Sequence, residues 1–193
     1  MTDILGAFVG ITFLLVIYPF AAIAIKLDSP GPVMVGLDRV SKGKRVRVYK
    51  FRSMKTGTHD MKYGELAVRN ERKDGPFFKI KNDPRITRVG RILRKFRLDE
   101  FPQFINVLRG DLSLVGPRPH EPNEIEQYPA AFRSLPLAKA GITGYSQVNG
   151  ASSLPFLNEL ELDDYYLAHQ SFLFDLRIIL KTVAILIADP TAV

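Results

Sequence analysis

At 193 residues, with 46% hydrophobic and 24% charged side chains, the chain has the size of one compact unit plus a membrane element rather than of two domains. The absence of cysteine excludes disulfides, thiolate metal sites and cysteine nucleophiles, and permits a reducing compartment. The net charge of +7 is unevenly spread: residues 39–109 carry 21 Lys and Arg against 7 Asp and Glu, a block that by charge alone is first a solvated basic face and otherwise suits nucleic acid, an anionic leaflet or phosphorylated substrates.

Residues 4–25 form a run of 22 without a charge. As a helix this run is roughly 33 Å long, enough for a bilayer core. No basic region precedes it, and Lys26 follows where a small-residue cleavage site would stand, so a secretory signal fits poorly. Positive charge begins on the C-terminal side with Lys26, Arg39, Lys42, Lys44 and Arg45, which places the bulk of the chain on the cytoplasmic side. Pro19 removes one backbone hydrogen bond and disfavours helical geometry at Tyr18, so a kink is expected there. On the residues alone, a spanning anchor with a tolerated proline is preferred to a helix that turns back before crossing.

Asp28-Ser29-Pro30-Gly31-Pro32 is a rigid turn that ends the helix. Residues 33–40 and 45–51 then read as strands, joined by a hairpin loop at Ser41-Lys42-Gly43-Lys44. The basic residues shift from odd to even positions around Tyr49, which predicts a register slip or strand end there. Residues 56–81 are polar and punctuated by Gly57, Gly64 and Gly75-Pro76, the pattern of an irregular insertion with a short helix near 65–72. Asp83 is expected as N-cap and Pro84 as first residue of a helix that runs to about Arg97. Ile86, Val89, Ile92, Leu93 and Phe96 make its apolar stripe, Arg85, Arg88, Arg91 and Lys95 line the other side, and Arg94 and Arg97 lie on the flanks. Such a helix rests on a membrane or a core.

A second helix is predicted from Asp99 or Glu100, with Phe101, Phe104, Ile105 and Leu108 on one face and Gly110 beyond its end. The acidic pair therefore has two readings. In the bland one Asp99 is the N-cap and Glu100 a first-turn residue favoured by the helix dipole, and this is preferred for an isolated Leu-Asp-Glu-x-Pro string. In the chemical one the dipole, Arg94 and Arg97 hold the pair ionised. Adjacent side chains on a helix diverge, so the pair is ill-suited to straddle a glycosidic bond. It can instead place one oxygen on phosphorus while the other group binds metal or manages a proton.

Further on, Phe172-Leu173-Phe174, Leu176, Ile178, Ile179 and Leu180 are interrupted by Asp175, Arg177 and Lys181, which argues for a packed or interfacial helix rather than a second span. Asp163 and Asp164 read by default as a solvated helix end. Together the elements predict an α+β chain: residues 1–28 inserted in the membrane, and residues 29–193 a mainly helical, membrane-associated cytoplasmic domain with a small β-hairpin and interfacial amphipathic helices.

Six motifs occur in order: Asp28-Ser29-Pro30-Gly31-Pro32, Tyr49-Lys50-Phe51-Arg52-Ser53-Met54, Lys81-Asn82-Asp83-Pro84-Arg85-Ile86-Thr87, Leu98-Asp99-Glu100-Phe101-Pro102-Gln103, Gly110-Asp111-Leu112-Ser113-Leu114-Val115-Gly116-Pro117-Arg118-Pro119 and Gly141-Ile142-Thr143-Gly144. Each is weak alone, but the ordered set is specific. It resembles the bacterial sugar transferases, the monotopic phosphoglycosyl transferases that start surface-glycan assembly, and the likeness covers nearly the whole chain. The resemblance implies transfer of sugar-1-phosphate from a UDP-sugar to polyprenyl phosphate, with release of UMP and a requirement for Mg²⁺. It implies Asp99 as the nucleophile of a covalent phosphosugar-aspartyl intermediate and Glu100 as its helper, both at the metal, with Lys50, Arg94 and Arg118 on the substrates. It also turns the first segment into a re-entrant helix broken at Tyr18-Pro19. The enzyme is then expected at the bacterial inner membrane, its catalytic domain on the cytoplasmic face against anionic phospholipid, and without nucleic acid as a partner.

The chain departs from the family pattern at several points. Tyr18 replaces a small hydroxyl residue before Pro19, Ala140 stands where Pro is common, and Ala151 stands where Arg often follows Asn149-Gly150. Basic residues usual before the first helix are missing, an abrupt start expected of a piece of a longer protein. The competing reading is a non-catalytic, membrane-anchored basic module. The sugar, the carrier length and the oligomeric state, a homo-oligomer included, stay open.

Overall fold

A helix without charges between its ends can be tied to a polar domain by hydrogen bonds only at those ends, and elsewhere by shape. The computed structural model, which describes residues 2–150 and 153–188, shows both kinds of tie in a mixed α and β chain that is about half helical. Helix α1 (Thr2–Asp28) continues through Tyr18 and Pro19 and is long and apolar enough to cross a membrane by length and composition. One stripe, comprising Ala7, Gly10, Leu14, Ala21 and Ile25, is buried against the rest of the chain. Leu5, Phe8, Val9, Phe13, Leu15, Val16, Phe20 and Ile23 project outward and are exposed. Gly10 permits the contact with helix α3 (Gln103–Leu108): a Cβ there would lie 2.3 Å from the Phe104 ring.

The ends are held by charge. Near the start, Asp3 accepts hydrogen bonds from the Ser113 hydroxyl (2.9 Å), the Leu114 N–H (2.9 Å) and the Lys139 ammonium (3.0 Å). At the other end the buried Arg52 guanidinium donates to the carbonyls of Pro32 (2.6 Å), Pro30 (2.7 Å), Ser29 (2.8 Å) and Ile25 (3.3 Å) and to the Ser29 hydroxyl (2.7 Å). Asp28 accepts from the Val89 N–H at 2.9 Å. Gly31, at φ +129°, sits in this turn where a Cβ would also meet the Thr56 hydroxyl.

Strands β1 (Met34–Ser41) and β2 (Lys44–Phe51) form the expected hairpin, its turn carried by Lys42 and Gly43 with φ of 55° and 66°. The pairing is continuous from Met34↔Phe51 to Ser41↔Lys44, which corrects the predicted slip near Tyr49. The odd-to-even shift has another cause. Lys50 shares a strand face with the inward Val46 and Val48, because it reaches a carboxylate instead of solvent. The free edge of β2 is covered by a side chain: buried Asn106 accepts the Tyr49 N–H (2.9 Å) and donates to the Arg47 carbonyl (2.8 Å).

The segment 56–81 is irregular, with 3₁₀ turns at His59–Lys62 and Ala67–Arg69 in place of the short helix. Helix α2 spans Arg88–Lys95, and its N-cap is Thr87, whose hydroxyl accepts the Gly90 N–H, which corrects the placement of Asp83 and Pro84. Asp83 instead binds Arg85, while the chain at 85–87 pairs with Ser53, Met54 and Lys55 and is thereby kept extended. Gly90 fits against the Ser53 carbonyl, 2.0 Å from where a Cβ would stand. Ile92 and Phe96 are exposed beside Arg91 and Lys95, so only part of the predicted stripe faces the core.

Strand β3 (Ser113–Val115) pairs in parallel with β4 (Gly141–Thr143), a two-stranded element absent from the sequence reading. Helices α4 (Pro122–Ile125), α5 (Tyr145–Val148), α6 (Phe156–Ala168) and α7 (Phe172–Ala188) complete the chain. In α7 only Ile178 is buried, and Phe172, Leu173, Leu180 and Ile187 point outward. Ala140 packs beside Ala7, and its N–H donates to the Ser41 hydroxyl at 3.1 Å, a bond that proline at this position would forgo. Ala151 lies outside the described residues.

Arg52→Met removes the shared donor of these carbonyls and of the Ser29 hydroxyl while keeping the apolar stem. The expected loss is about 2–4 kcal/mol of stability, because the Pro32 and Ser29 carbonyls lose this donor, while those of Ile25 and Pro30 keep the Ser29 N–H and the Thr56 hydroxyl. Chemical denaturation of the detergent-purified protein measures the loss, and limited proteolysis should open first at residues 28–33.

Candidate active site

The turn that carries the acidic pair is made by the end of α2. Phe96 leaves helical geometry, Arg97 adopts the left-handed conformation at φ 53°, and Leu98–Glu100 form a single 3₁₀ turn before α3. The residue at the head of α3 is Pro102, and no side chain caps it, so the reading of Asp99 as a helix cap is corrected. Asp99 is instead buried, at 8% exposure, whereas Glu100 retains 28% of its side-chain surface. Two neighbouring carboxylates thus meet different surroundings.

Around them the chain gathers cations from three elements. Lys50 on β2 donates to Glu100 Oε1 at 2.5 Å. Arg94 of α2 lies close enough to Asp99 to act on its charge, and Arg97 and Arg118 act on Glu100. The structure therefore brings together Asp99, Glu100, Lys50, Arg94 and Arg118, the residues singled out from sequence, along with Arg97, which the chemical reading also sets beside the pair. Pro19 lies apart, within α1.

Burial pushes the Asp99 carboxyl above its ordinary range; Lys50 opposes this and the Glu100 charge adds to it. Burial acts on Glu100 in the same sense, but Lys50 and Arg118 outweigh it and hold the group down at about 2. The expected downward pull of the cations therefore prevails at Glu100, while at Asp99 desolvation is the largest effect and the shift is upward.

Arg118 leaves the Pro117-Arg118-Pro119 turn, which is set by close backbone packing. Gly116 donates to the Thr143 carbonyl (3.0 Å) and Gly141 to the Pro117 carbonyl (2.9 Å). A Cβ on Gly144 would stand 2.3 Å from the Gly116 carbonyl oxygen. The Gly-x-x-Gly motif is the seat of this turn. Below it, Asp163 is buried and accepts the Arg118 N–H at 3.1 Å, which corrects its reading as a solvated helix end; Asp164 is exposed. A signal for Asp163 was present, since it continues the inward stripe of Phe156, Leu160 and Leu167 at helical spacing.

The acid pair suits a magnesium ion. Mg²⁺ takes one or two carboxylates and fills its octahedron with water and substrate phosphate oxygens. Glu100 is held ionised beside Asp99, and among the described residues no group of three or more metal-binding side chains exists, so further ligands would come from a phosphorylated substrate and water.

Comparison with known proteins relates the chain to a family. A family model described as bacterial sugar transferase matches residues 1–189. The chain is 38% identical over 187 residues to the galactosyl transferase CpsE of Streptococcus agalactiae serotype III (strain NEM316), covering 96% of the chain and 41% of that relative. It is 40% identical over 171 residues to the UDP-glucose:undecaprenyl-phosphate glucose-1-phosphate transferase of Escherichia coli (strain K12), covering 84% of the chain and 34% of the relative. To the exopolysaccharide production protein PSS of Rhizobium leguminosarum bv. phaseoli it is 38% identical over 191 residues, covering 91% and 90%. The chain therefore spans 41% and 34% of two long relatives and nearly all of a short one.

The depressed Glu100 carboxyl has a consequence for acid stability. A group whose pKa falls on folding adds stability above its unfolded value of 4.5 and loses it as pH drops toward about 2. The stability gap between the wild type and Glu100→Gln should therefore shrink over that window, and Lys50→Met should remove most of the gap at pH 7. Denaturant unfolding at a series of pH values checks both.

Proposed function

The chain is a member of the bacterial sugar transferase family, and from that premise we propose that it transfers sugar-1-phosphate from a UDP-sugar to polyprenyl phosphate. The observation that carries this reading is the buried Asp99 carboxylate beside ionised Glu100, with Lys50, Arg94, Arg97 and Arg118 around them. A reaction between two anionic substrates needs a nucleophile for phosphorus set among cations, and that is the arrangement at hand. A non-catalytic basic anchor would have no use for a desolvated carboxylate at its centre.

In the first step an Asp99 oxygen attacks the β-phosphorus of the UDP-sugar. The bond from that phosphorus to the bridging oxygen breaks, and UMP leaves with the electron pair, so the sugar phosphate is joined to Asp99. In the second step an oxygen of polyprenyl phosphate attacks the same phosphorus, the aspartyl bond breaks, and the carboxylate is restored beside polyprenyl-diphosphate-sugar. Burial raises the basicity of Asp99 and with it the strength of its attack, while Lys50 and Arg94 keep ionisation within reach. Arg118 and Arg94 are forks suited to phosphate oxygens. Magnesium, held by Asp99 and Glu100 with the diphosphate, would offset repulsion and ease departure of UMP.

The membrane part follows the same logic. Residues 1–28 form the inserted element and 29–193 the cytoplasmic domain at the bacterial inner membrane. Both ends of α1 are tied to that one domain, at Asp3 and at Arg52, which supports a helix that enters and leaves the bilayer on the same face. The outward apolar residues of α7 and the Ile92–Phe96 side of α2 would lie at the interface, with Arg88, Arg91 and Lys95 toward anionic headgroups.

Incubation with UDP-sugar and Mg²⁺ but no lipid acceptor should give one UMP per enzyme and a phosphosugar mass increment on Asp99. Asp99→Asn should form no adduct and lose turnover by about 10³-fold or more, and chelation of Mg²⁺ should stop UMP release. Normal turnover by Asp99→Asn would falsify the nucleophile assignment. Separately, Thr2→Cys should resist an impermeant thiol reagent added outside intact cells; labelling from outside would exclude the re-entrant topology.

A further inference from the structure

Pro117-Arg118-Pro119 contains a single backbone N–H, that of Arg118, because neither proline has one. Its acceptor is Asp163 Oδ2 at 3.1 Å, and Asp163 has only 3% of its surface exposed. Asp163 also interacts with the Ser146 hydroxyl and N–H, and it borders a small cavity lined by Arg118, His120 and Tyr128. No cation lies within ion-pair distance of Asp163 among the described salt bridges. Burial disfavours the charged form and pushes the group up to about 6, against the pull of the Ser146 hydroxyl and the Arg118 N–H. A buried acid that accepts the one N–H of this turn, and shares itself otherwise with Ser146 at the head of α5, points to a demand on that backbone group.

We propose that Asp163 is the positioning residue of Arg118: by holding the only N–H between the two prolines, it fixes the direction in which the guanidinium leaves the turn and meets a substrate phosphate. This deepens the transferase reading and rests on it. The turn is then clamped from two sides. Gly116 and Gly141 bind it to β3 and β4, and α6 binds it through Asp163. Displacement of a phosphate fork by about 1 Å is enough to cost on the order of 100-fold in rate.

The test is a double-mutant cycle on the full chain in detergent micelles, with kcat and KM for the UDP-sugar and, in parallel, UDP binding by calorimetry. Asp163→Ala should lower kcat/KM by about 10- to 100-fold, mostly through KM, and weaken UDP binding in proportion. Asp163→Asn keeps an acceptor and should lose less than about 5-fold. In an Arg118→Ala background, Asp163→Ala should add nothing further, since there is no fork left to aim. Where truncation unfolds the chain, Asp163→Leu, which fills the space without an acceptor, takes its place in the cycle. A full multiplicative loss in the Arg118→Ala background overturns the proposal, as does an Asn variant as defective as Ala. A wild type that binds UDP yet forms no Asp99 adduct overturns the transferase reading instead, and the binding cycle still decides the role of Asp163.

Discussion

The structure depends on one buried cation that has main-chain carbonyls, instead of a carboxylate, as its main partners. Arg52 gathers the carbonyl groups at the end of α1 and of the turn that follows, and so joins the apolar helix to the hairpin. The consequences run along the chain in order. Ser53 and Met54, immediately after it, pair with Ile86 and Thr87, which stops α2 from starting early and sets Gly90 on the Ser53 carbonyl. A fixed α2 ends in left-handed Arg97, and that one residue turns the chain so that Asp99 points inward and Glu100 toward Lys50. Lys50 is itself two residues before Arg52. The apolar helix and the polar site are therefore parts of one framework.

Where the sequence could be read, it was read through local rules. The hairpin follows from alternation and from Lys42-Gly43, the apolar helix from composition, and the family from the ordered motifs. The errors arose where a distant group decided a local conformation. Asp83-Pro84 has the form of a helix start, but Arg85 claims the carboxylate and a bridge to Met54 keeps the backbone extended. Asn106 sits on a helix that looked simply amphipathic, yet it is fully buried because β2 has an open edge that needs both a donor and an acceptor. The parallel pair β3 and β4 joins segments about 28 residues apart, each three residues long, and no periodicity marks so short a strand. Asp163 is legible in part: its helical phase places it inside, whereas its charge and its acidic neighbour Asp164 favour solvent.

The two carboxylates illustrate how a shared sequence position can yield two chemistries. A helix dipole and nearby arginines would treat adjacent acids alike, and desolvation does not. Asp99 loses its water and becomes more basic, whereas Glu100 keeps partial access and the direct ammonium of Lys50. Their mutual repulsion sharpens the difference, since ionisation of Glu100 makes ionisation of Asp99 harder. Groups whose environments drive their proton affinities apart are suited to separate tasks.

The same reasoning bears on the cations. If Lys50 served only to neutralise Glu100, an arginine would do it with more hydrogen bonds. An ammonium is a compact charge on a flexible stem, and it acts on both acids at once: it bonds Glu100 directly and is also the main influence opposing the rise at Asp99. Arrival of a diphosphate would compete for that ammonium, which would leave Glu100 free to bind metal at the moment the substrate supplies the remaining oxygen ligands. On the proposed reading, the cations that hold the acid pair are the ones an arriving diphosphate would draw upon, so its negative charge would meet positive groups already in place.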